Sequence, residues 1–270
     1  MHFNLSPDQA SFQQAARRFA RERVAPAAAA IDERDEFPME LVKEAGALGF
    51  MGATIPKEWG GAGADYVGYA LALEEIARAS ATLAVILVVS NSLVVEPLLR
   101  FGSEAQKTRW LRALARGERL GSFALSEEDA GTDAANQQTE AVALPGGGFR
   151  LSGRKTWVTC GVAADLVIVF SAEASPAGKR AVSAFLLPMD APGIVRGASR
   201  ARANCTAGRD LRAADGPAQA TRGARAGSRF PASPSSAAPA SRARLRARSG
   251  IEGDPSASDS PRCRSTGCRA

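Results

Sequence analysis

Residues Leu120 to Asp133 read LGSFALSEEDAGTD, and the hydrophobic pattern of the chain changes within them. Up to Arg119 the apolar residues recur every three or four positions, as on one face of a helix, whereas afterwards they alternate with polar residues. Five strand candidates follow on short connections, at residues 120–126, 138–144, 149–159, 165–172 and 181–188. Consecutive strands without crossover helices predict an antiparallel sheet or barrel. Helices first and strands second predict an α+β fold.

The residues before this change predict a bundle of helices. Ser6-Pro7-Asp8-Gln9 and Ser103-Glu104-Ala105-Gln106 both have the residue order of a capping box, which starts a helix. Residues 66–80 predict an amphipathic helix between them. We expect the first helix to fade near Ala30. Together these elements predict an N-terminal domain, residues 1–118, that is entirely helical.

Two conspicuous stretches of the helical part predict packing rather than a membrane or a phosphate site. Residues 82–95 read TLAVILVVSNSLVV, which is too short and too polar to span a bilayer and predicts a buried helix. Residues 55–63 read IPKEWGGAG, but this glycine-rich loop follows no strand and spells neither GxGxxG nor GxxxxGK[ST]. We therefore expect no membrane span and no phosphate cradle of the Rossmann or P-loop type.

The composition changes abruptly after residue 195. Residues 196–270 contain 15 arginines, five acidic residues and no lysine, so the positive net charge of the chain, +6, comes from them. Their only large apolar side chains, Leu211, Phe230, Leu245 and Ile251, are too few to offset the entropy of ordering the chain. We expect a disordered tail at residues 199–270. A frameshifted or otherwise non-native origin is favoured over an inert linker or a nucleic-acid-binding arm, since no aromatic residues are interleaved for stacking bases.

The histidine and cysteine contents exclude several kinds of catalytic site. His2 is the only histidine, which removes Ser-His-Asp triads and zincin motifs. Cys160 is the only cysteine before the tail, and no CxxC pair occurs, so no metal site is predicted. The first twenty residues lack the apolar core of a signal peptide. These features predict a cytoplasmic protein in a reducing compartment.

Two segments of the strand-rich half carry more chemistry than a plain strand needs. Residues 123–133 lead from a strand into a loop with hydroxyls, backbone N–H groups and a glycine that allows close approach. Residues 153–161, GRKTWVTCG, place Trp157 and Thr159 two apart and hence on one face of a strand. The acidic residues 127–129 are expected to be solvated. From the residues alone, two interpretations remain open. Trp157 and Thr159 offer either an aromatic surface beside a polar group for a ligand, or a tryptophan that only packs in the core of a barrel.

At these residues the chain resembles the acyl-CoA dehydrogenase family of flavoproteins, from Leu5 to about Val195. The motifs that carry the resemblance are I-P-x-E-[YW]-G-G-x-G at residues 55–63, A-L-[ST]-E-x-x-A-G-[ST]-D at 124–133 and W-[IV]-T-x-G at 157–161. The resemblance implies a middle β domain, residues 119–198, that is truncated here. The expected architecture is therefore α+β, with a helical bundle followed by an incomplete antiparallel β-barrel and then the tail.

The resemblance also implies FAD as cofactor and roles for individual residues. The implied cofactor-binding residues are Phe123, Leu125, Ser126, Gly131, Thr132, Trp157, Val158 and Thr159. Among them, Trp157 would pack against the flavin, Thr159 would hydrogen-bond near its N5 and O4, and Thr132 would also approach the acyl-CoA substrate. In such proteins the flavin accepts a hydride from the β-carbon of the thioester, and an electron-transferring flavoprotein takes up the electrons.

Family members continue with a second helical bundle that supplies a glutamate as general base and much of the contact between subunits. The resemblance ends near Val195, and Glu252 is the only later glutamate, so no catalytic residue is assigned. By lineage the chain is expected to be an FAD-dependent acyl-CoA dehydrogenase that forms trans-2-enoyl-CoA. As given, we expect it to be inactive, to retain FAD poorly and not to form the family's homo-oligomer. A non-enzymatic product of a disrupted gene and a related flavin-dependent oxidase or monooxygenase stay open as alternatives.

Overall fold

The protein is described by a computed structural model that covers residues 4–145, 148–173, 181–197, 209–213 and 221–222. His2 and most of the predicted tail lie outside the described residues. The disorder expected for the tail is therefore untested over most of its length.

Short helices joined end to end form the N-terminal part of the chain. The α-helices are α1 (Pro7–Phe19), α2 (Ala25–Arg34), α3 (Met39–Ala47), α4 (Tyr66–Ala79), α5 (Ala81–Val88), α6 (Glu96–Phe101), α7 (Glu104–Gln106) and α8 (Arg112–Ala115). Both predicted capping boxes are confirmed. The hydroxyl of Ser6 accepts a hydrogen bond from the backbone N–H of Gln9 at 3.2 Å, and that of Ser103 accepts one from Gln106 at 3.3 Å.

Wider π-helical turns connect several of these helices, and two of the turns come just before a proline. Ala20–Val24 precedes Pro26, and Val89–Val95 precedes Pro97. Within an α-helix a proline lacks the N–H donor and its ring clashes with the carbonyl four residues earlier, and a π-helical turn accommodates both without ending the helix. The first helical rod therefore continues to Arg34. The expectation that it fades near Ala30 is wrong for this reason.

The apolar stretch of the sequence forms a central helix of the bundle. Residues Ala81–Phe101 make a continuous helix of 21 residues, the one described helix that is long and apolar enough to cross a membrane. Of its most apolar window, 61% is buried inside the protein, and Ile86 and Leu87 pack in the core with Phe50. The predicted buried helix is thus confirmed.

The polar interruption of this helix is satisfied by backbone groups of a neighbouring turn. Asn91 is 1% exposed, and its side-chain amide donates to the carbonyls of Phe50 at 2.8 Å and Leu87 at 2.9 Å. Its Oδ1 accepts a hydrogen bond from the backbone N–H of Ala53 at 2.7 Å. Because a buried amide with all these partners costs little, Asn91 fixes the turn at residues 50–53 against the central helix.

A partly buried ion pair joins α1 to α4, and its removal should reduce stability in a pH-dependent way. Glu75 is 6% exposed and accepts hydrogen bonds from Arg17 at 2.6 Å and Gln13 at 3.2 Å. The bond from Arg17 holds the pKa of Glu75 below its ordinary value of 4.5. The carboxylate therefore contributes stability above that value, which is lost as the pH falls through the lower pKa of the folded state.

We expect Glu75→Gln to lower the free energy of unfolding by about 1–2 kcal/mol at pH 7. The deficit should shrink as the pH is lowered below about 4, because protonation then weakens the same pair in the unaltered chain. Urea denaturation at pH 7 and pH 3.5 measures both values. A deficit that is equal at the two pH values would contradict a role for the charge of Glu75.

One mixed sheet follows the helices, and its first five strands confirm the five strand candidates. The strands are β1 (Gly121–Ala124), β2 (Glu140–Ala143), β3 (Phe149–Val158), β4 (Leu166–Glu173), β5 (Ala181–Pro188), β6 (Ile194–Arg196), β7 (Arg209–Ala213) and β8 (Thr221–Arg222). Neighbouring strands follow the order β6-β7-β3-β2-β4-β5-β8, and β1 pairs with β4. The sheet does not close, so the α+β fold with an incomplete barrel is confirmed.

Two features of the sheet differ from the expectation. β4 pairs in parallel with β1 and β2. The chain between these strands returns to the end of the sheet at which β1 and β2 begin. β7 and β8 lie within the segment expected to be disordered, where they pair with β3, β6 and β5. The edges of the open sheet offer unpaired N–H and C=O groups, which bind a backbone segment even when it has few apolar side chains.

The two faces of the sheet have different partners. Leu166 and Ile168 of β4 pack with Val94 and Leu111 of the helical part, whereas Val167 and Val169 face a second core with Phe185. This alternation is the period of two expected for a strand that is covered on both sides. One side of the sheet is therefore anchored on the helices, and the other forms a core of its own.

Candidate functional site

The first motif forms the end of β1 and a long loop. This loop, residues 125–139, joins β1 to β2 and is called the acidic loop below. Phe123 on β1 is half-buried, with its ring 4.9 Å from that of Phe170. The hydroxyl of Ser122 donates to the carbonyl of Thr159 at 2.6 Å. The start of the first motif thus lies against the end of the second.

Backbone contacts continue this link between the two motifs. The N–H of Thr156 on β3 donates to the carbonyl of Ser126 at 2.8 Å. One residue away on each segment, the ammonium of Lys155 donates to the carbonyl of Leu125 at 3.1 Å. The structure therefore brings Leu125 and Ser126 beside the strand that carries Trp157, although about 30 residues separate them in sequence.

A buried ion pair lies at the centre of this contact. Glu127 is 7% exposed and Lys155 is 1% exposed, and Oε1 of Glu127 lies 2.5 Å from Nζ of Lys155. Lys155 also donates to the side chain of Gln137. The backbone N–H groups of Gln138 and Thr139 donate to Glu127 at 2.5 and 3.0 Å. The expectation of solvated acidic residues is wrong for Glu127, because the loop folds its carboxylate inward to a cation and two amides.

Both members of this pair have perturbed pKa values. Burial acts to raise the pKa of Glu127, but the bonds from Lys155 and from Thr139 and Gln138 outweigh it and hold the pKa below its usual range. Burial lowers the pKa of Lys155, and its bond to Glu127 opposes that shift. The 2.5 Å contact between the two side chains and the hydrogen bonds around them are those of a buried ion pair.

Trp157 leaves the regular strand and exposes its ring. Its φ is 57°, its side chain is 62% exposed, and the register between β3 and β7 shifts between Lys155 and Val158. β3 ends at the buried Val158, so Thr159 lies in the following turn. The expectation that Trp157 and Thr159 share a face by simple strand alternation is therefore wrong: the left-handed residue at 157 breaks the alternation. The indole is nevertheless left uncovered beside the half-buried Thr159.

The tip of the acidic loop is open. Gly131, Thr132 and Glu128 are exposed, and a Cβ placed on Gly131 would meet no heavy atom within 4 Å. On the strand side, the hydroxyl of Thr156 is buried without a hydrogen-bond partner. The arrangement thus combines an open glycine backbone, an uncovered indole and a buried hydroxyl free to accept or donate.

Two hollows in the described residues lie apart from the two motifs. A hollow of about 430 Å³ lies between α7 and the end of β5, beside Trp110 and Pro188, and one of about 720 Å³ lies beside Leu48 and Gly60. None of the eight residues implied for cofactor binding lines either hollow. Within the described ranges, no group of three or more His, Cys, Asp or Glu side chains could hold a metal ion.

Comparison with known proteins relates this chain to one family. Residues 6–118 match the model of the acyl-CoA dehydrogenase N-terminal domain, and residues 122–208 match that of the acyl-CoA dehydrogenase middle domain. The chain belongs to the acyl-CoA dehydrogenase family. An acyl-CoA dehydrogenase of Bacillus subtilis is 41% identical to it over 194 residues, which are 72% of this chain and 51% of that protein. The chain therefore spans about half the length of this curated relative.

Solved acyl-CoA dehydrogenases share the fold. Butyryl-CoA dehydrogenase from Megasphaera elsdenii superimposes with a TM-score of 0.78 at 34% identity, covering 83% of this chain and 61% of its own. An acyl-CoA dehydrogenase from Bacillus anthracis, complexed with FAD, gives a TM-score of 0.75 at 30% identity, covering 82% of this chain and 39% of its own. The resemblance seen in the motifs is confirmed at the level of the family and the fold.

Cys160, in the turn after β3, adopts a left-handed backbone conformation with a φ of 62°. This region is unfavourable for most residues with a side chain. Cys160 is 4% exposed and packs with the core of the helical part, so burial of its side chain offsets the strain.

Sequence reasoning missed Glu127 and Lys155 as a pair. The one signal in the sequence was that each residue lies in one of the two segments singled out above, 123–133 and 153–161. Their spacing of 28 residues matches no helix or strand period, so no sequence pattern predicts the contact.

Proposed function

We propose that the two joined motifs bind FAD and that the chain descends from an FAD-dependent acyl-CoA dehydrogenase. The observation that carries the proposal is the uncovered indole of Trp157, placed on the strand to which the backbone of Ser126 is hydrogen-bonded. An exposed tryptophan ring next to open backbone suits a flat aromatic ligand, since stacking removes a large apolar area from water. The FAD-bound Bacillus anthracis relative supports the identity of that ligand.

The residues present fit the cofactor. Trp157 would pack on the flavin, Leu125 and Ser126 would contact its pyrimidine side, and Thr159 would hydrogen-bond near N5 and O4. Phe123 and the buried Val158 would support these contacts from within the sheet. The buried Thr156 hydroxyl, which lacks a partner, gives the site a further hydrogen-bonding group.

At the loop tip, Gly131 and Thr132 would approach the pyrophosphate, and Thr132 also the acyl-CoA substrate. The free space around Gly131 suits a close approach of phosphate to backbone. Glu128, exposed three residues before Gly131, carries a charge that would repel a pyrophosphate.

The proposed reaction of the lineage is α,β-dehydrogenation of an acyl-CoA thioester to the trans-2-enoyl-CoA, with electrons passed to an electron-transferring flavoprotein. FAD supplies the acceptor for the hydride that leaves the β-carbon, and a general base must take the α-proton. The roles proposed for this chain's own residues are to orient the ring and to exclude water from one side of it.

We assign no general base to the described residues. Glu127 is committed to Lys155 and two amides, and Glu128 and Asp129 are exposed at the loop tip. The chain alone is therefore expected to show little or no turnover. As part of the proposal we keep the division into a helical domain, residues 1–118, a β domain, residues 119–198, and a tail, residues 199–270.

A cytoplasmic location also belongs to the proposal. The apolar helix Ala81–Phe101 packs largely inside the protein, which favours a core helix over a membrane span for this segment.

Binding of FAD and reduction by substrate test the proposal separately. We expect the purified chain to bind added FAD with a dissociation constant in the micromolar range, measured by equilibrium dialysis. Butyryl-CoA should not bleach the flavin at a rate near that of a whole family member. Absence of binding at about 100 µM FAD would contradict the proposed site, and rapid bleaching would contradict the expected inactivity.

The remaining alternatives predict other results. Once a complete family member with these motifs was assayed, an oxidase lineage would form hydrogen peroxide from oxygen, and a monooxygenase lineage would incorporate one oxygen atom into its product and release the other as water. A non-enzymatic product would bind neither FAD nor acyl-CoA.

A further inference from the structure

A single ammonium group holds both ends of the acidic loop. Nζ of Lys155 donates to the carbonyl of Leu125 and to the carboxylate of Glu127 at the start of the loop, and to Gln137 near its end. Lys155 itself belongs to β3, in the middle of the sheet. The two ends of the loop, called its neck below, are thus held on a strand inside the sheet.

The carboxylate of Glu127 also joins the two ends of the loop. It accepts the backbone N–H groups of Gln138 and Thr139, the last two residues before β2. The tip between these ends is exposed at Gly131 and Thr132. The ordered neck therefore carries an open tip, as a ligand-binding loop on a rigid scaffold requires.

Stability alone does not account for a charged pair at this place. Well-packed apolar side chains of similar size often stabilise a protein as well as a buried ion pair does. Lys155 and Glu127 provide directed bonds to one carbonyl and two amides, which apolar side chains would not provide. Those bonds fix the backbone of Leu125, and the neighbouring Ser126 carbonyl binds the N–H of Thr156, next to Trp157.

We propose that Lys155 and Glu127 are positioning residues that preset the acidic loop and Trp157 for the flavin. The part that concerns flavin rests on the proposed function, whereas the part that concerns the loop and Trp157 holds for the chain without ligand. Neither side chain needs to touch the cofactor: both act through Leu125, Ser126 and Thr156.

Three variants separate positioning from stability in the full chain. Lys155→Met leaves Glu127 buried without its cation, so it should lower both stability and positioning. The double variant Glu127→Gln with Lys155→Met removes both charges, so it should recover much of the melting temperature, yet the Leu125 carbonyl still lacks its donor. Glu75→Gln is the matched control, because it also neutralises a buried, ion-paired glutamate, but in the helical part.

The ligand-free readout is hydrogen exchange at the N–H of Thr156, which reports whether Ser126 stays bound to β3. We expect exchange at least about tenfold faster in Lys155→Met and in the double variant, and unchanged in Glu75→Gln, at matched stability in low denaturant. The ligand readout is the FAD dissociation constant. It should rise about tenfold or more in Lys155→Met and stay raised in the double variant despite its recovered melting temperature.

Different results overturn the two proposals. If Thr156 exchange in the double variant returns to that of the unaltered chain together with its melting temperature, the pair is merely structural and the positioning role is wrong. The same conclusion follows if FAD affinity recovers with stability. If the unaltered chain binds no FAD but Thr156 exchange responds as expected, the flavin site is wrong while the loop is still preset by the pair.

Discussion

Replacement of Trp157 by alanine should weaken FAD binding on the order of a hundredfold while leaving the fold intact. The indole is 62% exposed, so its removal deletes little packing from the core and should change the free energy of unfolding by less than about 1 kcal/mol. One face of an indole stacked on a flavin would instead remove about 100 Å² of apolar surface from water, which is about 2.5 kcal/mol. The large effect thus falls on binding and the small one on stability.

The FAD dissociation constant, measured by equilibrium dialysis, checks this expectation without relying on tryptophan fluorescence. Trp59→Phe is a suitable control, because Trp59 packs against the core between the helices and the sheet, apart from the two motifs at residues 124–133 and 157–161, and its change should not alter FAD affinity. Trp157→Phe should fall between the unaltered chain and Trp157→Ala, because it keeps part of the ring area. Equal affinity in Trp157→Ala and the unaltered chain would show that the indole does not cover the flavin.

Sequence patterns correctly predicted the features that depend on residues within a single helix or strand. Ser6 and Ser103 start helices because the capping residue and its partner are three positions apart, within reach of a sequence pattern. The five strands follow from alternation along each segment. The apolar window at residues 82–95 is buried because its composition leaves it no other stable environment in water.

Sequence patterns did not predict the features that depend on contacts between residues far apart in the chain. β1 pairs with β4 at Gly121 and Leu166, and no local period indicates whether such a pairing is parallel. The positive φ of Trp157 coincides with the break in register against β7, so alternation predicted the wrong relation to Thr159. Glu127 was expected in solvent because its neighbours are acidic, but Lys155 on another strand decides its environment.

Substitution of Gly61 by alanine should be among the most destabilising single changes in the helical part, although the site is a loop. A Cβ at this position would lie 2.1 Å from the carbonyl oxygen of Ile55, 2.5 Å from its Cβ and 2.6 Å from the carbonyl oxygen of Gly52. Two of these atoms belong to the backbone, so no rotation of a side chain relieves the overlap. The loop 55–63 is held there by hydrogen bonds such as Ala62 N–H to the Gly52 carbonyl at 3.0 Å.

We expect Gly61→Ala to lower the free energy of unfolding by about 3 kcal/mol or more, and the melting temperature by about 10 °C. The glycines of the family motif would then serve close packing of the loop on the buried Ile55. Gly131→Ala is the matched control: no heavy atom lies within 4 Å of its Cβ, so stability should stay within about 0.5 kcal/mol. Thermal denaturation that places the two variants within 2 °C of each other would refute the packing role of Gly61.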